Sequence, residues 1–361
     1  MRAPPILALV TDAFGGQGGI AQYNRDLLTA LADATGKPIV VVPRHVAEKP
    51  AVPHGVQQLY PGRGRISYSL SALTATLSQR PDWIFCGHLY MAPLGALLAK
   101  LTGAKLVVQM HGIEAWRRPS RWQRAAVEAA DLVLCVSRYT RGAVLGWGAM
   151  APERVLVVPN TVGEIFVPGD TGDLRRAWGL DGKQILLTVG RMDARERYKG
   201  HDLVIHALPY LVAAGRDVHY VIFGDGDDAP RLKLLAFDTG VAERVHFKKS
   251  AKSDLLVDAY RTADLFVMPS TGEGFGIAFL ESMACGTPAL GLDVAGARDA
   301  LAGGELGVLV READLSDAIL RCLAHPKPDP QRLAIEARQR FGRENFTAGV
   351  RHAWDRLSEA A

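Results

Sequence analysis

One alternation runs through this chain twice: apolar runs of strand length separated by stretches with helical spacing. The first series has runs at 6–10, 39–42, 83–86, 106–110, 132–136 and 155–158, with helical stretches such as 20–34 and 67–78 between them. After a turn-rich stretch at 159–182, a second series follows at 185–189, 220–223, 245–247, 265–268, 289–292 and 307–310. Runs that are apolar throughout belong to strands covered on both faces, and strands alternating with helices form parallel sheets. The predicted fold class is therefore α/β, with two Rossmann-like, doubly wound parallel-sheet domains. A length of 361 residues suits two cores better than one. The expected domains are 1–165 and 166–340, with a terminal helix at 341–361 after the proline breaker at 326–330.

The bulk properties narrow the class. With 48% hydrophobic and 22% charged residues the chain is an ordinary globular protein and not a disordered one. It has no run of about 18 apolar residues, and Met1-Arg2-Ala3-Pro4-Pro5 leads into a strand and not a signal peptide, so a cytoplasmic protein is expected. Cys86, Cys135, Cys285 and Cys322 stand singly in apolar segments, as buried reduced thiols do. Residues 1–165 carry 17 Lys+Arg against 10 Asp+Glu, although the whole chain is only +4. The first half is the basic half.

The richest segment for chemistry is Pro269-Ser270-Thr271-Gly272-Glu273-Gly274-Phe275-Gly276-Ile277-Ala278-Phe279-Leu280-Glu281, which reads as a strand end, a glycine turn and a helix start. Glycines let backbone approach a ligand, and the free N–H groups of a helix N-terminus favour phosphate oxygens. A tight turn accounts for glycines but not for Glu273 and Glu281 around them. Carboxylates so placed address hydroxyl groups on either side of an anion.

Glu273-(x7)-Glu281 resembles the Glu-x7-Glu signature of retaining glycosyltransferases, and its context is similar to family 4. The resemblance extends to Gly190-Arg191, Lys199-Gly200, Phe223-Gly224-Asp225-Gly226, Tyr260 with Ala263-Asp264, Gly18-Gly19-Ile20, and His111-Gly112-Ile113-Glu114. It implies a GT-B architecture, two domains facing a central cleft that closes on the donor. The first domain would take a glycan, lipid-linked or small-molecule acceptor, and the second a nucleotide-sugar donor. The terminal helix would cross back to the first domain. By the same resemblance Arg191 and Lys199 clamp the diphosphate, Glu273 reads the sugar and Glu281 the ribose. His111 lies at the reacting region, and Gly18, Gly19, Gly190, Gly224, Asp225, Gly274, Phe275, Gly276, Ile277 and Ala278 line the donor. Likeness of the Phe223 to Arg231 run to mannosyl- and glucosyltransferases of surface-polysaccharide assembly favours GDP-mannose over UDP-glucose and UDP-N-acetylglucosamine. A nucleotide-sugar epimerase or hydrolase, and a non-catalytic binding module, are the alternatives.

Three other motifs weigh less. Gly16-x-Gly18-x-x-Ala21 could open a dinucleotide site, but the second strand ends Val42-Pro43-Arg44-His45 without the acid that a ribose needs. Asp225-Gly226-Asp227 spells the Asp-x-Asp that some sugar transferases use for a metal. Here it reads as turn chemistry, and no metal or other cofactor is expected, because Arg191 and Lys199 supply the cations. Finally, Trp116, Arg117, Arg118, Arg121, Trp122 and Arg124 form a basic-aromatic cluster, with Arg63 and Arg65 in another loop of the same half. It suits a solvated face or the inner face of an anionic membrane, and nucleic acid is not expected.

Overall fold

A computed structural model describes residues 5–16, 18–46, 50–60, 64–170, 173–249 and 253–359; Arg63 lies outside them. The chain forms two compact units, Met1–Thr161 with Glu344–Ala361, and Val162–Arg343.

The first unit has seven strands, most of them wholly buried apolar runs: β1 (Ile6–Val10), β2 (Ile39–Pro43), β3 (Val56–Gln58), β4 (Trp83–Cys86), β5 (Lys105–Met110), β6 (Leu132–Cys135) and β7 (Val155–Val157). They pair in parallel in the order β3-β2-β1-β4-β5-β6-β7. The crossovers are α1 (Gly19–Thr35), α2 (Arg65–Gln79), α3 (Ala92–Thr102), α4 (Ile113–Trp116), α5 (Arg121–Glu128) and α6 (Arg138–Trp147). Winding reverses between β1 and β4, where the strand ends part and leave a crevice for a ligand. The sequence reading omitted β3, a short edge strand spelled Val-Gln-Gln. Its Gln58 turns inward and donates to the Phe14 carbonyl at 3.0 Å.

The second unit repeats the scheme with β8 (Gln184–Val189), β9 (Val218–Phe223), β10 (Val245–Lys248), β11 (Leu265–Met268), β12 (Ala289–Leu292) and β13 (Val308–Val310). Their order is β10-β9-β8-β11-β12-β13, again parallel, with the switch between β8 and β11. Its helices are α7 (Leu174–Ala177), α8 (His201–Ala213), α9 (Ala229–Asp238), α10 (Ser253–Thr262), α11 (Ile277–Ala284), α12 (Ala297–Ala300), α13 (Leu315–Ala324) and α14 (Pro330–Phe341). One polar chain crosses this core: Tyr220 donates to Thr188 at 2.8 Å, and Thr188 donates to the Val267 carbonyl.

The chain ends in α15 (Arg343–Glu359), which belongs with the first unit except for its first residue. The sequence reading began a helix at 341. In the structure Phe341 closes α14 instead, and Gly342 separates the two helices, where a Cβ would stand 2.4 Å from the Arg338 carbonyl oxygen. Trp354 packs on Trp83 with ring centres 4.6 Å apart, Phe346 meets the edge of Tyr23 at 5.8 Å, and Lys105 Nζ donates to the Leu357 carbonyl at 2.8 Å.

Truncating a large aromatic in such a contact removes its burial and leaves a void. Trp354→Ala is expected to destabilise the first unit by about 3 kcal/mol. The measurement is urea unfolding followed by circular dichroism, in which the first unit's transition moves to lower urea and the second unit's stays where it was.

Candidate functional site

In the second unit the loops leaving the sheet cross so closely that side chains are excluded. A Cβ on Gly200 would lie 2.3 Å from the Pro269 carbonyl oxygen, one on Gly224 would lie 1.9 Å from the Gly190 carbonyl oxygen, and one on Gly226 would lie 2.0 Å from the Met192 carbonyl oxygen. Backbone bonds fasten the crossings: Thr271 N–H to Tyr198 O at 2.9 Å, Met192 N–H to Asp225 O at 2.9 Å, and Gly190 N–H to Phe223 O at 3.1 Å. The segments after β8, β9 and β11 thus meet at the switch point.

This crossing brings Lys199, after β8, onto Glu273, after β11: Nζ and Oε1 are 2.9 Å apart, with about 15% and 13% of the two side chains exposed. The Lys199 stem runs past Gly190, and its ammonium stands over the Tyr198 ring at 5.7 Å. Arg191 is 71% exposed and pairs with Glu196. Neither Glu196 nor Tyr198 was singled out from the sequence. The one signal for them was their place in Glu196-Arg197-Tyr198-Lys199, beside the lysine that was.

Gly276, at φ 101°, starts α11 with no side-chain cap and no acid in the first turn, so the amides of Ile277 and Ala278 have no carboxylate competing for them. Gly274 and Phe275 run into this end, and Glu273 O accepts from Gly296 N–H at 2.9 Å. Inside the helix Glu281 accepts a hydrogen bond from the buried Tyr260 hydroxyl at 2.7 Å. Burial pushes the Glu281 carboxyl up to about 7, and the Tyr260 bond only partly opposes that rise.

The aspartate loop is occupied by its own neighbours. Asp225 pairs with Lys249 at 3.1 Å, Asp227 accepts from Ala194 N–H at 2.8 Å, and Asp228 holds Arg197 and Arg231. Arg231 also pairs with Asp202 at 2.6 Å. Asp228 stands just before α9. Ala229 opens the helix, but the Asp228 carboxylate goes to the arginines and makes no cap.

In the first unit Gly18, at φ 89°, leads into α1, again with no side-chain cap and no acid in the first turn. Gly18 and Gly19 are exposed. His111 follows β5, and its Nε2–H donates to the Gly87 carbonyl at 2.9 Å, just beyond the end of β4, which leaves Nδ1 as an acceptor. Burial lowers the His111 pKa, with the Glu114 carboxylate partly opposing that fall. Glu114 accepts from the His111 amide. His88, not anticipated from the sequence, lies 6.0 Å from the His111 ring; burial lowers its pKa to about 4.

The basic-aromatic segment is not one patch. Trp116 turns inward to Thr140 at 3.3 Å, and Arg124 pairs with Glu128 at 3.1 Å. Arg117, Arg118, Arg121 and Trp122 are exposed, with the Arg121 guanidinium 4.9 Å from the Trp122 ring centre. Among the described residues no helix is long and apolar enough to cross a membrane.

Comparison with known proteins follows the same division. Residues 17–163 match Glycosyltransferase Family 4, and residues 170–340 match Glycosyl transferases group 1. D-inositol 3-phosphate glycosyltransferase 1 of Catenulispora acidiphila is 32% identical over 321 residues, 80% of this chain and 74% of that protein. The GDP-mannose-dependent alpha-(1-6)-phosphatidylinositol monomannoside mannosyltransferase of Mycolicibacterium smegmatis is 31% identical over 259 residues, 68% of this chain and 66% of that one. Among solved structures, HepE of Anabaena in complex with UDP and glucose aligns with a TM-score of 0.79 over 98% of this chain and all of that one, at 20% identity. That last likeness is one of fold, of the GT-B kind.

The raised Glu281 carboxyl has a sign that can be tested. Between about 4.5 and 7 the folded chain holds a proton that the unfolded chain has released, so stability is greatest below that window and falls as pH rises through it. The expected loss is about 3 kcal/mol across the window. Glu281→Gln should flatten that part of the curve, read by urea unfolding at a series of pH values.

Proposed function

The chain belongs to the group 1 glycosyl transferases, its first half of the Family 4 type, and from that premise we propose that it is a retaining hexosyltransferase. The donor is a nucleoside diphosphate hexose and the acceptor a hydroxyl of a glycan, lipid-linked or small molecule. The observation that carries the reading is the Lys199–Glu273 pair at 2.9 Å, set at the switch point of the second sheet near the uncapped end of α11. A cation and free amides suit the diphosphate, and the carboxylates of Glu273 and Glu281 suit the sugar and ribose hydroxyls on either side of it.

In the proposed reaction the bond from the sugar C1 to the bridging phosphate oxygen breaks while the acceptor oxygen bonds C1 on the same face. The acceptor proton passes to the departing phosphate oxygen. Lys199 and Arg191 oppose the charge growing on that phosphate, which stabilises the transition state more than the ground state. Arg191 must leave Glu196 to do so. The Gly18 and Gly19 amides are further phosphate donors, and Nδ1 of His111 is an acceptor for a sugar hydroxyl. The reading requires no metal. A relative's name includes GDP-mannose and a fold neighbour holds UDP, so both bases enter the assay.

Nucleotide release from GDP-mannose, UDP-glucose and UDP-N-acetylglucosamine, with and without acceptors, tests the reading, and GDP-mannose is expected to turn over fastest. Release without any acceptor would point to a hydrolase, a changed sugar nucleotide to an epimerase, and binding without release to a silent module. Arg191→Ala and Lys199→Ala should each lower turnover by roughly 10²- to 10³-fold, with melting temperature largely kept in Arg191→Ala and lowered in Lys199→Ala, which leaves Glu273 without its partner. The product should carry an α linkage from an α-linked donor by NMR, at a rate that chelators leave unchanged.

A further inference from the structure

The structure assigns a second task to the first unit: we propose that the flank made by α2, α3 and α5 docks on the surface of an anionic lipid bilayer. The inference is independent of the transfer reaction and rests on a face that the proposed active site does not use.

Helix α3 packs between α2 and α5, so their outer faces are continuous. That surface is apolar where a solvated surface would be charged. Ile66, 79% exposed, with Leu70 and Leu77 on α2, Leu97 and Leu101 on α3, and Trp122 on α5, all face outward. Shared hollows join them. Ile66 and Leu70 line one of about 1170 Å³, Leu77 and Leu101 one of about 820 Å³, and Leu97 and Trp122 one of about 670 Å³. Six large apolar side chains on one flank exceed the single exposed leucines that any surface carries.

The charges around them are mostly positive, with Asp82 and Asp131 the carboxylates that line the same hollows. Arg65 begins α2 and Arg80 caps its end, Lys100 stands in the last turn of α3, and Arg117, Arg118 and Arg121 lead into α5. Asp82 is the only carboxylate between Glu48 and Glu114. It is paired with Lys37 at 2.9 Å. Glu114 is taken by the His111 amide, Glu128 by Arg124, and Asp131 by the Leu106 amide. Each described carboxylate of this stretch thus already has a partner, although Asp82 and Asp131 are exposed, while Arg65, Arg80, Lys100, Arg117, Arg118 and Arg121 face out.

An anionic bilayer is the surface that meets both features at once. Leucine, isoleucine and tryptophan enter the acyl boundary, and the arginines and lysine stay among headgroup phosphates, with Arg121 over Trp122 at the level between. A nucleic acid would satisfy the cations and leave the aliphatic groups in water. A second copy of the same face would set like charges against each other.

The test is co-sedimentation of the full chain with vesicles of phosphatidylcholine containing phosphatidylglycerol, and with phosphatidylcholine alone, at low and high salt. The variants are an Arg65/Arg117/Arg118/Arg121 quadruple glutamine and an Ile66/Leu70/Leu97 triple serine, with circular dichroism to check folding. The expected result is binding to the anionic vesicles only, fading with salt, and weakened about tenfold or more by either variant. Equal binding by wild type and variants, or binding indifferent to lipid charge, would overturn the proposal. So would loss in the glutamine variant alone with competition by a short RNA. A dimer by light scattering that the serine variant abolishes would assign the face to a second copy and overturn it too.

Discussion

The second unit depends on backbone crossing backbone. The chain leaving β8 passes the chain leaving β11 at Gly200 and Pro269, and passes the chain leaving β9 at Gly190 and Gly224. None of these contacts has room for a methyl group, and they are what carry Lys199 to Glu273 across 74 positions of sequence. A Cβ at Gly224 would have to move two loops apart before any side chain of the site changed its own chemistry. The polar residues are in this sense passengers on a glycine frame, which is why the frame lies at the switch point where the sheet already leaves a crevice.

The Lys199–Glu273 pair also sets a condition on its ligand. Both side chains are largely withdrawn from water, so taking one away leaves the other as a poorly compensated charge, at a cost of about 3 kcal/mol or more. An anion alone would take the lysine and strand the glutamate. A ligand that presents an anion and a hydroxyl together offers each member a new partner in the same step. A sugar phosphate has that chemistry, with its hydroxyls set apart from the anion.

How much could be read in advance follows from the range of the forces involved. Strands such as β1, β6 and β11 declared themselves because every residue in them is apolar, and the two-fold series of such runs carried the fold class. Strand β3 did not, because Gln57 and Gln58 hide a strand that is held by its neighbour and not by its own composition. The residue types at Lys199, Glu273 and Glu281 were legible from local spacing and resemblance. The partners were not: Tyr260 for Glu281 and Gly87 for His111 are set by tertiary crossings that no local window contains. The basic cluster was read as one surface from its adjacency in sequence, although Trp116 turns inward and Arg124 is paired. Conversely, Ile66, Leu70 and Leu97 at helical spacing would be assigned to a core, and only their exposure reveals an outward face.

The return of α15 to the first unit governs when that unit can be finished. Ile6, Leu27, Trp83, Phe85 and Val107 line a hollow of about 30 Å³ whose other wall is Val350, Ala353, Trp354 and Leu357. On the ribosome the second unit, Val162–Arg343, is synthesised whole before that wall exists, and domains generally fold as they emerge. The N-terminal sheet therefore waits with one apolar face open while the later unit closes its own core. Birth order and completion order are reversed in this chain, and the earliest residues made are among the last to be sealed.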